Sequence, residues 1–251
     1  MGLLPKFIDD AAGPPAQAVG NTLSNIWELG VGSHVSLWLK KQEYRQKQNY
    51  EDYIQKVEEN TQNIPEEFLS EPQLNIVGPA IEASKYYIES EELRAMFANL
   101  IASSIDSRKT NETHPSFVEI IKQLSPLDAQ ILKNFHTIQR HPIAQVRLVN
   151  DKNHFIVTQQ HIMDFRVYDG YESHTSSLSN LQRLGLLDID YSNAVPDSSK
   201  YDFVKNHPAY QSARQQLLEI QEDNPSFNTV SHHEGICVRT PLCKDFVKVC
   251  F

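Results

Sequence analysis

The sequence predicts a mostly α-helical protein with a small α+β part, in which an N-terminal helical region precedes a C-terminal winged-helix-like domain. Two observations lead to this prediction. Apolar residues recur at helical spacing through the first half of the chain, and short β-branched runs alternate with helical segments after about residue 138. At 251 residues, the chain is long enough for one large domain or two modest ones.

Residues 1–65 form the first predicted region, a Gly/Pro-rich helical hairpin followed by a polar helix. Small residues alternate with large apolar ones between residues 9 and 39, a spacing that lets helices approach closely. We expect the hairpin to pack on its own protein or on a second copy, and the alternative is contact with a membrane surface. The residues suited to membrane or partner contact are Trp27, Trp38, Lys40 and Lys41.

The polar helix, residues 40–63, has one thin apolar stripe of aromatic and aliphatic residues among Gln, Lys and Glu. So narrow a stripe predicts an exposed helix and favours a homodimer contact. Residues 63–79 follow as a connector, because their prolines are disfavoured inside helices.

Residues 66–137 form the second predicted region, a central helical core with clear helix starts. Ser90 is a predicted N-cap, Pro115 stands at a helix start, and Ser125 with Asp128 forms a capping box. On the helix after Ser90, Glu91 and Arg94 have the i,i+3 spacing of a surface ion pair. The alternative is an interaction helix or pocket formed by Arg94, Asn99 and Asp106.

Residues 138–251 form the third predicted region, winged-helix-like with an insertion at about 191–234. Two apolar runs, 146–149 and 155–157, fit either strands or buried loop, and 158–165 fits a short helix. A clearer helix from Ser177 ends near Gly185 and precedes a short strand. The insertion holds a helix over 208–221, and a strand over 235–239 precedes a last helix that starts at Thr240 and Pro241.

The helix ending near Gly185 takes the place of a recognition helix, and Arg183 is its possible contact residue. Asp188 and Asp190 follow immediately and would repel DNA phosphates, and the net charge of −9 adds to that repulsion. We therefore expect protein contact or dimerisation from this domain, and no nucleic-acid partner.

Motifs for chemistry are missing from the sequence. It has no phosphate-binding loop, no nucleophile elbow and no zinc-protease helix. His232, His233 and Glu234 are neighbours whose side chains alternate in direction, and Cys237, Cys243 and Cys250 have no zinc spacing. We predict buried, reduced cysteines and no catalytic, cofactor, metal or small-molecule site. Without a secretory signal or membrane-span pattern, the expected location is the cytoplasm, with peripheral contact at the inner membrane as the alternative.

Two runs in the centre of the chain, Glu92–Asp106 and His114–Leu132, resemble the abortive infection alpha family of bacterial proteins. The segments Ala12–Gly32 and Thr240–Phe246 are similar to that family too. The resemblance implies a bacterial phage-defence protein, and it supplies no catalytic residues. With the absence of catalytic motifs, it leads us to expect a non-enzymatic protein that acts through protein association. The alternative is a winged-helix transcriptional regulator or adaptor.

Overall fold

The structure is a computed structural model, and it describes residues 5–9, 12–32, 44–164, 171–223 and 226–251. Two compact units divide the chain. The helical unit comprises Met1–Lys133 and Lys244–Phe251, and the sheet unit comprises Asn134–Cys243. Three predicted contact residues, Trp38, Lys40 and Lys41, lie outside the described residues.

Ten α-helices and four strands are present among the described residues. The helices are α1 (Pro14–Trp27), α2 (Tyr44–Gln62), α3 (Leu74–Ser84), α4 (Glu91–Ser103), α5 (Ser116–Lys122), α6 (Pro126–Asn134), α7 (Tyr171–Arg183), α8 (Phe203–Asn206), α9 (Pro208–Asp223) and α10 (Pro241–Cys250). The strands are β1 (Arg140–Val149), β2 (Phe155–Ile162), β3 (Leu187–Asp190) and β4 (Thr229–Arg239). A π-helix covers Glu28–Gly32, and 3₁₀ turns cover Glu66–Phe68 and Ser198–Tyr201.

Helix starts in the central region follow the predicted side-chain caps. The Ser90 hydroxyl accepts a hydrogen bond from the Leu93 amide at 3.3 Å, which satisfies an amide of the first turn of α4. At the start of α6, the Asp128 amide donates to the Ser125 hydroxyl at 3.1 Å, and the Ser125 amide donates to the Asp128 carboxylate at 2.7 Å. Both the N-cap and the reciprocal capping box are confirmed.

Two predictions about the first half of the chain are wrong. The apolar stripe of α2 is buried, with Tyr53 and Val57 fully covered, and α2 packs on α4. This stripe is therefore core and not the surface that was expected to contact a second copy. Pro79 lies inside α3 and not in a connector. Its missing amide leaves the Asn75 carbonyl without its helical donor, and Asn75 is exposed, so water can replace that bond.

The sheet unit is built on a four-stranded antiparallel sheet in the order β2-β1-β4-β3. Both apolar runs of uncertain type are strands, and the helix expected over 158–165 is wrong because β2 continues to Ile162 in register with β1. One face is covered by α9, whose Ala213 and Leu217 share a core with Val146 and Leu148 of β1. Helix α7 contacts β2 and β3.

The predicted end of α7 and start of α10 are confirmed. Gly185 follows α7 with a φ of +72°, a left-handed conformation that glycine adopts without strain. Thr240 then links the two elements, because its hydroxyl donates to the Gly185 carbonyl at 2.6 Å and accepts from the Cys243 amide at 3.1 Å. Within the described part of the chain, no helix is both long and apolar enough to cross a membrane.

The close approach of β4 to Tyr191 yields a stability prediction. A Cβ at Gly235 would lie 2.5 Å from a Tyr191 ring carbon and 2.9 Å from the Asp190 carbonyl oxygen. We expect Gly235→Ala to lower the free energy of unfolding by about 1–3 kcal/mol, since the neighbouring backbone cannot move without strain. Urea denaturation followed by circular dichroism measures this. Ser231→Ala on the same strand is the control and should stay within about 0.5 kcal/mol of the parent; equal effects of the two variants would contradict the steric argument.

Candidate functional site

Asn99 on α4 and Asp106, which follows the end of α4, border a polar cleft of about 210 Å³ in the helical unit. The cleft brings together side chains that are far apart in the sequence. It is lined by Asn60, Asn63, Ile64, Asn99, Ala102, Ser103, Asp106, Arg108, Lys109, Val249 and Phe251.

Side chains of α4 hydrogen-bond the last carbonyl groups of α10 along one wall of the polar cleft. The Ser103 hydroxyl donates to the Val249 carbonyl at 3.0 Å, and the Asn99 amide group donates to the Cys250 carbonyl at 2.9 Å. Asn99 and Ser103 are one helical turn apart, so they face the same way. The last four carbonyls of an α-helix have no hydrogen-bond donor within the helix. Ser103 and Asn99 supply a donor to two of these four carbonyls in α10.

Ser103 also accepts a hydrogen bond from the Lys109 ammonium group, at 3.2 Å. A serine beside a lysine is an arrangement that can generate a nucleophile. Here the hydroxyl is buried and its proton is held by the Val249 carbonyl, so attack on a substrate would first break the contact between α4 and α10. The arrangement stabilises the fold and does not present an activated nucleophile.

Asp106 is held at the border of the polar cleft by Arg108. The Arg108 guanidinium donates two hydrogen bonds to the Asp106 carboxylate, at 2.8 and 2.6 Å, and the Arg108 backbone amide donates a third at 3.0 Å. The Asp106 side chain is only 4% exposed. The hydrogen bonds from Arg108 hold the pKa of the Asp106 carboxyl below its usual range, so it is ionised at neutral pH and does not serve as a general acid.

In the polar cleft, the lysine and asparagine side chains keep hydrogen-bonding groups that their internal bonds do not use. Asn60 donates to the Asn99 amide oxygen at 2.6 Å, which orders both amides. The ammonium group of Lys109 carries three protons, more than its bond to Ser103 uses. The lining therefore keeps hydrogen-bond donors, whereas its hydroxyl and carboxylate are committed to structural contacts.

Arg94, the third residue predicted on α4, is not part of the polar cleft. Its guanidinium donates to the Asp52 carboxylate at 2.6 Å and to the Ile88 carbonyl at 3.1 Å. The expected pairing with Glu91 is wrong, because Arg94 joins α4 to α2 and is nearly buried. Sequence spacing identifies neighbours on one helix surface and cannot identify a partner 42 residues away.

The aromatic residue predicted for membrane or partner contact, Trp27, lies in the core of the helical unit. Its ring is fully buried, stacks on Tyr53 with centroids 5.6 Å apart, and meets the edge of Phe7 at 5.8 Å. A buried indole is not available to a lipid or to a protein partner, so its assignment to a contact surface is corrected.

In the sheet unit, Arg183 ends α7 at an exposed position, and its guanidinium donates to the Asn180 side chain at 2.7 Å. Asp188 is exposed on β3, so the predicted neighbouring negative charge is present. All three cysteines are buried, as predicted. Burial raises the pKa of the Cys237 and Cys243 thiols to about 12, which leaves almost no reactive thiolate at neutral pH.

Sequence reasoning missed a cluster of His161, Tyr191 and His233 in the sheet unit. The Tyr191 hydroxyl lies 3.1 Å from both the backbone nitrogen and Nδ1 of His161, and the Tyr191 ring is within 6.1 Å of both imidazole centroids. His161 has a φ of +54°, uncommon for a residue other than glycine. Gly235 is the one sequence signal, because its missing side chain leaves room for Tyr191. Among the described residues, no three His, Cys, Asp or Glu side chains are grouped to hold a metal ion.

Comparison with known proteins places the chain in a family. The model of the abortive infection alpha family matches residues 45–250, which include the whole sheet and every residue that lines the polar cleft except Phe251. The chain belongs to the abortive infection alpha family. The resemblance carried by the two central runs is thereby confirmed.

Among solved structures, this abortive infection alpha protein is similar to an uncharacterized protein from the hydrocarbon-degrading marine bacterium Alcanivorax borkumensis SK2. The two share 13% sequence identity over 57% of this chain and 94% of the other, with a TM-score of 0.36. A search of curated proteins finds no match.

The Asp106–Arg108 pair yields a prediction about pH. Its folded-state pKa lies below that of the unfolded chain, so the pair stabilises the fold above pH about 4, and this stabilisation is lost as the pH falls through the folded pKa. We expect Asp106→Asn to cost about 1–2 kcal/mol at pH 7, since Arg108 is half-exposed and partly screened. The cost should shrink as the pH falls below about 4.

Urea denaturation at a series of pH values measures this difference. The control is Glu119→Gln, which removes a carboxylate from the exposed pair with Lys122 and should have little effect at any pH. A cost for Asp106→Asn that is independent of pH would show that the carboxylate charge is not what stabilises this corner of the helical unit.

Proposed function

We propose that this member of the abortive infection alpha family acts in phage defence through protein association and not through catalysis. The family match over residues 45–250 is the observation that carries the defence role. The hydrogen bonds of the polar cleft support the non-enzymatic part of the proposal. The Ser103 hydroxyl both donates and accepts a hydrogen bond within the fold, and each oxygen of the Asp106 carboxylate accepts one from Arg108.

Exposed apolar side chains in both units support the association part. In the helical unit, a groove of about 530 Å³ runs between α1 and the start of α3, and Leu74 on its wall is 63% exposed. In the sheet unit, Phe155 and Ile156 at the start of β2 are half exposed. Large apolar side chains that stay exposed can contribute to protein contact sites.

Phage challenge of a bacterial host that expresses the full chain tests the proposal. We expect a lower phage yield and early death or arrest of infected cells in comparison with a host that lacks the chain. Leu74→Lys, in the groove, should weaken protection if association at that surface is required. Lys109→Ala, in the polar cleft, should leave protection intact, and its loss from a folded Lys109→Ala protein would contradict the non-enzymatic proposal.

Membrane contact is the finer alternative within the defence role, and it rests on the sequence of residues 33–43. Flotation of the full chain with anionic lipid vesicles, compared with a Lys40→Glu, Lys41→Glu variant, tests it. Flotation that the double substitution abolishes would favour membrane contact over association with a protein.

A winged-helix regulator is the second candidate, favoured by one observation. Helix α7 is followed by the antiparallel strands β3 and β4 and then by α10, which is the order expected of a winged helix. Arg183 is exposed at the end of the helix that would enter a groove of DNA. The exposed Asp188 on β3 opposes this use, because it repels phosphates.

Fluorescence anisotropy with labelled duplex DNA at low salt separates the two candidates. The association proposal predicts no binding by the full chain. Salt-dependent binding that Arg183→Glu abolishes would favour the regulator instead.

A further inference from the structure

Strand β2 is an edge of the described sheet, and its own residues lack the usual protection against pairing with another chain. It stands at one end of the order β2-β1-β4-β3, so no other strand of the described residues pairs with one side of its backbone. Exposed edges are commonly guarded by charged residues or proline. Residues 155–162 contain no Lys, Arg, Asp, Glu or Pro, and Phe155 and Ile156 are 50% and 49% exposed.

The register of the β1–β2 hairpin shows which backbone groups of β2 point outward. The Asn150 amide donates to the His154 carbonyl at 3.0 Å at the hairpin end, and Leu148 lies opposite Ile156 two residues further on. Because hydrogen-bonded and non-bonded pairs alternate along an antiparallel ladder, Ile156 bonds inward to β1. The amides and carbonyls of Phe155 and Val157 therefore point away from β1.

The other end of β2 is closed. The Gln160 carbonyl accepts a hydrogen bond from the Thr175 hydroxyl of α7 at 2.9 Å, so that part of the edge is already paired. His161 follows with its positive φ, which turns the backbone out of an extended path. The free edge is therefore the short segment from Phe155 to Thr158.

We infer that this free edge pairs with the same segment of a second copy of the chain, antiparallel and about a two-fold axis at Ile156. This inference rests on the proposed function, because it names the partner in the association. In this register, Phe155 and Val157 of each copy exchange backbone hydrogen bonds with Val157 and Phe155 of the other, and the two Ile156 side chains face each other.

The composition of the edge favours a second copy over a different protein strand. Pairing about Ile156 places apolar side chains opposite apolar side chains on both faces of the joined sheet, the cross-strand arrangement that stabilises antiparallel pairs. The paired segment is uncharged, so no like charges oppose each other across the axis. The Arg147 guanidinium of β1 stacks over the Phe155 ring, 4.0 Å from its centroid, so a basic partner strand would be repelled on that face of the edge.

Sedimentation equilibrium of the full chain and of Ile156→Lys tests the inference. We expect a reversible dimer whose dissociation constant rises at least about tenfold in the variant, because two ammonium groups then meet at the axis. Leu218→Lys is the matched control, since Leu218 is 59% exposed and lies on α9, which contacts β1 and β4. Its dimer should be unchanged.

A mixture of Ile156→Lys and Ile156→Glu chains identifies the axis. If Ile156 faces Ile156 of the second copy, mixing the two variants places a lysine opposite a glutamate, although each variant alone opposes like charges. We therefore expect the mixture to restore the dimer. Restoration also shows that both variants are folded. A full chain that stays monomeric at every concentration, or a dimer that Ile156→Lys affects no more than Leu218→Lys does, would overturn the inference.

The phage-yield assay keeps this inference separate from the proposed function. A monomeric full chain that still protects the host would contradict edge pairing and leave the defence role standing. A dimer that Ile156→Lys disrupts without loss of protection would support edge pairing and show that protection does not depend on it.

Discussion

Buried carbonyl groups at the end of α10 need hydrogen-bond donors, and much of the helical unit depends on how they obtain them. A helix that ends inside a protein cannot rely on water for its last carbonyls, and each unpaired one costs free energy. Asn99 and Ser103 supply those donors from α4, although they lie about 150 residues earlier in the chain. Asn99 and Ser103 of α4 are therefore held in place by their hydrogen bonds to the end of α10.

Hydrogen bonds within the fold also order the polar side chains that line the cleft. Serine, lysine, aspartate and asparagine side chains meet in one place, and the Ser103 hydroxyl proton and both Asp106 carboxylate oxygens take part in the hydrogen bonds that order them. In an enzyme, such groups are held by neighbours while the reacting atom stays free. In the polar cleft, the Ser103 hydroxyl and the Asp106 carboxylate are themselves held by hydrogen bonds.

In the sheet unit, the unpaired groups lie at an edge and not at a helix end. Strand β1 is paired on both sides, whereas β2 is paired on one. Helix α7 closes one end of that edge through Thr175, and the rest is uncharged and exposes two large apolar side chains. This edge is the surface to which we assign the proposed pairing with a second copy.

Local signals in the sequence determined the helix starts, the end of α7 at Gly185, the start of α9 at Pro208 and the membership of the family. They succeed because an N-cap, a capping box or a glycine turn acts over four or five residues, which is the range that a sequence pattern reports. The family match likewise rests on residues that can be compared one by one.

Only the tertiary structure decided the rest. The partner of Arg94 is Asp52 and not Glu91, Trp27 is core, the stripe of α2 is buried, and Pro79 is inside a helix. Each of these depends on what packs against a residue from elsewhere in the chain. The free energy gained by burial can exceed the free energy supplied by helix propensity or by neighbouring side-chain pairs. The free edge of β2 is of the same kind, since a strand becomes an edge only when the order of the whole sheet is set.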